Sequence, residues 1–492
     1  MLREFLPIGP EIFPIELRWG MNYQALAAAH RVLRTPGMRA SVAVWVVATM
    51  ASTAGADPPP RTMTLHEAIA YARAHQPSLQ AARARARVAR SQAQLPRAAQ
   101  TPRIVAGAEL LVGTNNNTTT SYGGPLGFDV PRIGGTPANA PTSLSPEPST
   151  LAGIGLRQEV YDFGRLSAQA AALDLFARAA EEDAQLADLD LALYVEESFY
   201  AVAGAHAVLR ASEAAVTRAT AHRDLAKAGV GAKLRPPIEL TRAEADLARF
   251  EVDRVRAQGA VTSAEAVLAA AIGAPDAAID TGADDLTYPS ALPLDAAIHD
   301  LDQREPSLRA ATDALRAQHE VTKSIEAELR PDLSISAGVT GRAGGSAVAN
   351  NPTPAGAGWV PDVPNWDAML VLSWPLFDRT VDVRAETSRR LERVRAAEVD
   401  LERERLRGRA AQVYVDLEVA ETALPALERA LDAARANQAQ AEARFGSGLA
   451  TAVEFADAEA LLADAEIQLA IGQFQRARAR ARLARIIAEV VP

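Results

Sequence analysis

The stretch LHEAIAYARAHQPSLQAARA at 65–84 is written again, without gaps, as LDAAIHDLDQREPSLRAATD at 294–313, with eight identities in twenty around a shared Pro-Ser-Leu. Self-similarity of this kind decides the fold before any single element does, because each half must carry the same string of elements. Two later correspondences keep the order. Glu159-Val160-Tyr161-Asp162 answers Pro375-Leu376-Phe377-Asp378, and Glu239-Leu240 with Ala243-Glu244-Ala245 answers Glu454-Phe455 with Ala458-Glu459-Ala460. Each half reads as a shorter helix, two extended stretches around a loop, a long helix, a Gly-containing turn and a returning helix. The expected halves are 57–290 (strands about 103–113 and 151–161, helical hairpin 166–273) and 291–492 (strands about 331–341 and 368–377, helical hairpin 379–489).

In the first extended stretch Ile104, Ala106, Ala108, Leu110 and Val112 share one face and Arg103, Gly107, Glu109 and Gly113 the other, with Val105 and Leu111 as exceptions. This is the period of two that marks a strand. The second half repeats it with Leu333, Ile335, Ala337 and Val339 against Asp332, Ser334, Ser336 and Thr340, and the last strand places Leu370, Leu372, Trp374 and Leu376 together. Each stretch has the length of a tilted strand crossing a bilayer, about 9–11 residues. The intervening segments 115–150 and 342–367 are rich in Asn, Thr, Gly and Pro, unsuited to helix. A soluble hairpin packed on the helices is the competing reading of the same alternation.

The helices are long. Between 166 and 228 there is no proline and Gly204 alone interrupts, so the segment would reach about 95 Å at 1.5 Å per residue. In the second half Leu406, Ala410, Val413, Leu417, Ala420, Leu424, Leu427 and Leu431 step by four and three, a coiled-coil seam. Pro425 within it predicts a kink or break.

Composition agrees with packed helices: alanine fills about a fifth of the chain, and aromatics only 5% of the 492 residues. A formal net charge of −10 argues against a nucleic-acid partner, and the Arg runs at 83–87 and 476–482 read as helix faces. With no cysteine and seven scattered His, no catalytic, cofactor-binding or metal-ligating constellation appears; no cofactor is expected and the chain does not read as an enzyme. Residues 1–56 read as an N-terminal extension and signal peptide: Arg31, Arg34 and Arg39 precede an apolar run at 40–51, and Ala54-Gly55-Ala56 has the form of a cleavage site. Translation from Met21 or Met38 suits this leader better than Met1. No apolar run approaches the length of a transmembrane helix.

Four membrane strands cannot close a barrel, and open edges in hydrocarbon cost several kcal/mol per unpaired group. Two chains would give eight strands and a filled interior; three give twelve and an opening. The expectation is therefore a homotrimer: mainly α, with long α-helical coiled-coil hairpins and a small membrane β part of four transmembrane β-strands per chain, forming a 12-stranded barrel in lipid above an α-helical tunnel.

VYDFGR at 160–165, LRPDLSISAGV at 329–339 and RFGSGLATAVEFADAE at 444–459, in this order within a twofold repeat, resemble the TolC-type outer-membrane efflux proteins. The resemblance implies an outer-membrane exit duct, set in outer-membrane lipid, with a periplasmic extension. It would work in a tripartite efflux or secretion system, passing solutes from a periplasmic adaptor (membrane fusion protein) and an inner-membrane pump to the exterior. It also implies that Glu454 and Asp457, three residues apart on one helix face, ring the tunnel constriction. Two exposed acids in a first helical turn are the plainer account. Gly446 and Gly448 would break the helix with positive φ at the periplasmic tip, and Gly229 and Gly231 mark the other tip turn. Val230, Leu234, Leu449 and Val453 are candidates for adaptor contact. Phe445 and Ala450 stand where family members carry a gate-bonding Tyr and Arg, so a gate held by those bonds is not expected here. The alternative is a soluble periplasmic coiled-coil adaptor or binding protein.

Overall fold

The computed structural model describes residues 62–114, 146–277, 279–281, 304–344 and 363–486. The expected leader at 1–56, the inter-strand segments 115–145 and 345–362, and the repeat copy at 294–303 lie outside the described residues. In chain order the elements are β1 (Thr62–Met63), α1 (Leu65–His75), α2 (Pro77–Gln92), α3 (Leu95–Ala99), β2 (Arg103–Thr114), β3 (Pro146–Tyr161), α4 (Arg165–Gly231), α5 (Pro237–Ala271), β4 (Asp280–Thr281), α6 (Pro306–Ala327), β5 (Asp332–Gly344), β6 (Val363–Ser373), α7 (Arg379–Gly446) and α8 (Ala452–Ile486).

Each long helix is launched by the aspartate of a repeated tetrapeptide. Gly164 N–H donates to Asp162 Oδ1 at 3.1 Å, with Phe163 and Gly164 at positive φ, and α4 follows. Thr380 N–H donates to Asp378 Oδ1 at 2.8 Å at the start of α7. Such side-chain acceptors satisfy orphan N–H groups at a helix start. α4 is 67 residues long, about 100 Å, and returns through α5, packing Leu209 on Ala257 and Val261. α7 returns through α8, with Ala410, Val413 and Leu417 against Ala479, Leu483 and Ile486, and Leu431 and Ala434 against Leu462. Of the expected seam, Leu406, Ala410, Val413, Leu417, Leu424 and Leu431 are buried. The break expected at Pro425 does not occur: α7 is helical through it. Leu424 and Leu431 hold the helix to α8 on both sides, and the bare Gly472 admits Leu427, whose Cδ1 lies where a Cβ would sit.

The two hairpins meet along α4 and α8. Gly204 lets them close, since a Cβ there would lie 3.2 Å from Phe474 Cβ, and Ala215 and Ala219 join Leu247, Phe250 and Ala463 in one cluster. Arg218 crosses between the hairpins to the buried Glu459 at 2.9 Å and to Glu466 at 3.1 Å. The Arg run at 476–482 is likewise occupied by acids, Arg478 and Arg482 on Glu197 and Arg480 on Glu421. The largest core surrounds Val195 and Phe199 of α4, with Ile69, Leu79, Leu268, Ile272 and Ile279, beside the parallel pair β1–β4.

The remaining strands form one antiparallel sheet in the order β2-β3-β5-β6. Register aligns the faces: Ile104 pairs with Leu156, Ala106 with Ile154, Ile154 with Val339, Leu156 with Ala337, Val339 with Trp366 and Ile335 with Leu370. This face is mainly apolar, with Thr150 and Gln158 as exceptions, and open, with Ile104, Leu110, Trp366 and Leu370 each 65% exposed or more. The other face carries Arg103, Arg157, Ser334, Ser336, Thr340 and Asp367.

Several strand limits differ from expectation, and β5 runs on to Gly344 rather than ending near 341. β3 begins at Pro146 rather than near 151; Pro146 and Pro148 are tolerated because the β5 ladder ends at Ser149, leaving β3 paired on one side there. β6 is Val363–Ser373, not 368–377, because Ser373 already opposes Asp332, the first residue of β5, and Pro375 has no N–H to extend a ladder. Trp374 and Leu376 therefore follow the strand.

At Gly153 a Cβ would lie 2.8 Å from Thr340 Cγ2 and 2.9 Å from the Val339 carbonyl oxygen. The backbone cannot yield as a side-chain tip would. Gly153→Val is expected to destabilise the sheet by about 1–3 kcal/mol, measured as a lowered midpoint in the thermal melt of the β signal.

Candidate functional site

The turns joining α4 to α5 and α7 to α8 are built by the same hydrogen bonds. Leu234 N–H reaches Gly229 O at 2.9 Å and Lys233 N–H reaches Val230 O at 3.0 Å; in the second turn Leu449 N–H reaches Arg444 O at 2.8 Å and Gly448 N–H reaches Phe445 O at 3.1 Å. These are helix C-caps with one left-handed residue. That residue is Gly448 (φ 76) in one turn and Lys233 (φ 60) in the other. Positive φ thus falls on Gly448 and not on Gly446, which ends α7, while Gly229 and Gly231 lie within α4.

Both turns present apolar side chains to solvent. Leu234 is 83% and Leu449 73% exposed, and Val453 is also exposed, whereas Val230 is half-buried. Ile238 is exposed too, and sequence reasoning missed it. The signal was present: Glu239 answers Glu454, and the same spacing makes Ile238 answer Val453.

Glu454 and Asp457 are both exposed on α8, away from buried Phe455, Ala458 and Glu459. Glu454 also has a local task. Thr451 N–H donates to Glu454 Oε2 at 3.1 Å and Glu454 N–H to Thr451 Oγ1 at 3.2 Å, the reciprocal pair that starts a helix. Asp457 carries no such bond to the turn.

Between the tips sits a cluster not legible in either half alone. Phe445 is 2% exposed and stacks on Phe455 at 5.3 Å, with His222 of α4 4.5 Å from the Phe455 ring. Arg235, from the first turn, lies over the Phe445 ring at 3.7 Å, donates from Nη2 to Phe445 O at 3.0 Å and pairs through Nη1 with Glu239 at 3.1 Å. Gly229 makes room for it, since a Cβ there would come within 2.8 Å of Arg235 Cδ. An arginine of the first hairpin's turn thus bonds the backbone of Phe445 in the second.

The sheet carries a second feature. Tyr161, Phe163, Trp374 and Phe377 are exposed where β3 and β6 give way to the helices, and Trp366 is exposed toward the opposite end. Trp366 and Trp374 are eight residues apart, about 26 Å along an extended chain. Aromatic girdles flank the apolar band of membrane barrels. The repeated aromatic before Asp162 and Asp378 was the signal for one girdle.

Among the described residues no group of His, Asp and Glu is placed to hold a metal ion, and no helix is long and apolar enough to cross a membrane. The chain matches the family described as outer membrane efflux protein over residues 68–274 and 297–489. A comparison with curated proteins gives no match. Among solved structures the chain is similar in fold to the outer-membrane channel OprN (TM-score 0.72, 20% identity, 88% of this chain and 95% of that one) and to the outer membrane protein VceC of Vibrio cholerae (0.71, 19%, 86% and 95%). It is similar also to the open state of the MtrE outer membrane channel of Neisseria gonorrhoeae (0.65, 19%, 87% and 89%).

Removing Arg235 strips a charged hydrogen bond and a ring contact from a buried phenylalanine. Arg235→Ala should loosen the tip by about 1–3 kcal/mol, read as faster backbone exchange across 440–456 with the sheet unaffected. Burial pushes the His222 imidazole below its ordinary pKa, opposed only partly by Asp246 and Glu239 and reinforced by Arg235. The folded tip holds it neutral, while the unfolded chain titrates near about 6.5. The associated stability is full above that pH and falls as the pH drops toward the depressed folded value. Tip exchange, corrected for intrinsic rates, should accelerate below about pH 6.5 in the native chain and less so in His222→Gln.

Proposed function

The chain belongs to the outer membrane efflux protein family, and from that premise we propose that three copies close one twelve-stranded barrel whose lumen continues through the helical hairpins as a tunnel. Its place is the outer membrane, and its work is passive: it is the exit duct of an efflux system rather than an enzyme.

The observation that carries the assembly is a sheet with one largely apolar, exposed face and two edge strands, β2 and β6, each paired on one side only among the described residues. In lipid the face is at home and the edges are not. The strands alternate in direction, so β6 of one copy meets β2 of the next antiparallel and the meander continues. That head-to-tail contact closes as a ring. A soluble adaptor would leave the same face in water with nothing to cover it. The matching turn bonds and the paired positions Leu234 with Leu449 and Ile238 with Val453 support a duplicated half as the unit.

On this reading the turns form the periplasmic tip. Leu234, Ile238, Leu449 and Val453 make an apolar contact surface for a periplasmic adaptor, which links the duct to an inner-membrane pump. Glu454 and Asp457, on the free face of α8, supply six carboxylates around the axis of a trimer, and Arg235 ties the hairpins together beside them.

Detergent-extracted protein should have the mass of three chains and conduct in planar bilayers. Glu454→Gln with Asp457→Asn should weaken block by polyvalent cations added at the helical end about tenfold or more, by loss of a charged ring. A monomer with an intact β spectrum would refute barrel sharing, and unchanged cation block would leave Glu454 with its capping role alone.

A further inference from the structure

Arg103 and Arg157 are directly opposed across the β2–β3 ladder, on the polar face of the sheet. Both side chains are exposed, and neither has an ion-pair partner among the described residues. Like charges directly opposite on a sheet destabilise it, and the carboxylate in the adjacent row, Glu159, is engaged by Arg165 rather than by either arginine of the pair. Its row continues through Ser336 to Met369, without an acid. The acids on the same face stand off this row: Glu159, two residues from Arg157, is held by Arg165; Asp332 is two rows away on β5; Asp367 stands two strands from Arg157, in the next row; and Glu109 is six residues beyond Arg103, about 20 Å along the strand.

We infer that Arg103 and Arg157 form an anion-binding ring in the barrel lumen, selecting for solutes that carry phosphate, sulfonate or carboxylate groups. The inference rests on the three-copy barrel proposed above, in which the polar face lines the lumen and two arginines per chain make six. The ring sits at the first residue of β2, near the passage from helical tunnel to barrel, and it opposes in sign the carboxylates of the tip. Guanidinium groups keep their charge at any physiological pH and present forked donors that fit oxyanions. Rings of such side chains set anion preference in pores. A duct with acids at its tip and arginines where the tunnel meets the barrel holds neither ion type strongly along its whole length, and anionic groups gain residence at that junction.

The test is side-specific block of the whole assembly in planar bilayers, with inorganic pyrophosphate as the probe added at the barrel end. The native channel should be blocked, and the Arg103→Gln/Arg157→Gln channel should need at least about tenfold more pyrophosphate, with its reversal potential in a KCl gradient moved toward cation preference. Arg103→Lys/Arg157→Lys should retain most of the block, which separates charge from folding. Equal block and equal reversal potential in the native and Gln channels, or no block of the native channel, would overturn the ring while leaving the duct intact. Absence of conductance from every form would overturn the duct, and the ring with it.

Discussion

Hydrocarbon offers no partner to a peptide group, and that single shortage governs how this chain is built. The helices answer it internally, each N–H finding a carbonyl one turn away. The sheet answers it only in part: β3 and β5 are paired on both sides for most of their length, β2 and β6 on one. A sheet with two edges of this kind is unfinished in lipid, and on the proposed assembly neighbouring copies complete it, which would make assembly a condition of stability as much as of function.

Below the sheet, shape is governed by how closely helices can approach. Gly204 against Phe474, Gly472 against Leu427, and the alanines at 215, 219 and 463 bring axes together where larger residues would hold them apart. Polar links then fix the relation between hairpins. Arg218 binds the buried Glu459, which Gln438 also reaches at 2.7 Å, so α4, α7 and α8 share one carboxylate. Removing one partner of such a group strands a buried charge, a larger loss than the pair's own net gain.

Much of this was legible in residue order. The alternation from Leu333 to Val339 names a strand, and the four-and-three steps from Leu406 to Leu431 name a seam, because each pattern reports one repeating contact. The aspartates at 162 and 378 were visible as a repeat before their capping role was. What escaped reading depends on partners distant in sequence. β6 ends at Ser373 because β5 begins at Asp332, which no pattern within β6 reveals. Lys233 takes the left-handed position although glycines stand two and four residues before it, because the helix end, and not the residue type, chose the site. The tip acids were read as a pair, but Glu454 spends its side chain on Thr451 while Asp457 does not. Arg235 covers Phe445 across a gap of 210 residues, a contact that neither stretch of sequence reveals by itself.

Trp366 within β6 and Trp374 just beyond its end have a further consequence. About 26 Å of strand, tilted by about 40°, spans only some 20 Å of depth. An inner membrane with a core near 30 Å would overhang that band on both sides, a mismatch costing fractions of a kcal/mol per Å around the whole circumference. The thinner outer membrane fits it. The strand length therefore acts as a gauge of bilayer thickness, favouring the outer membrane over a thicker one.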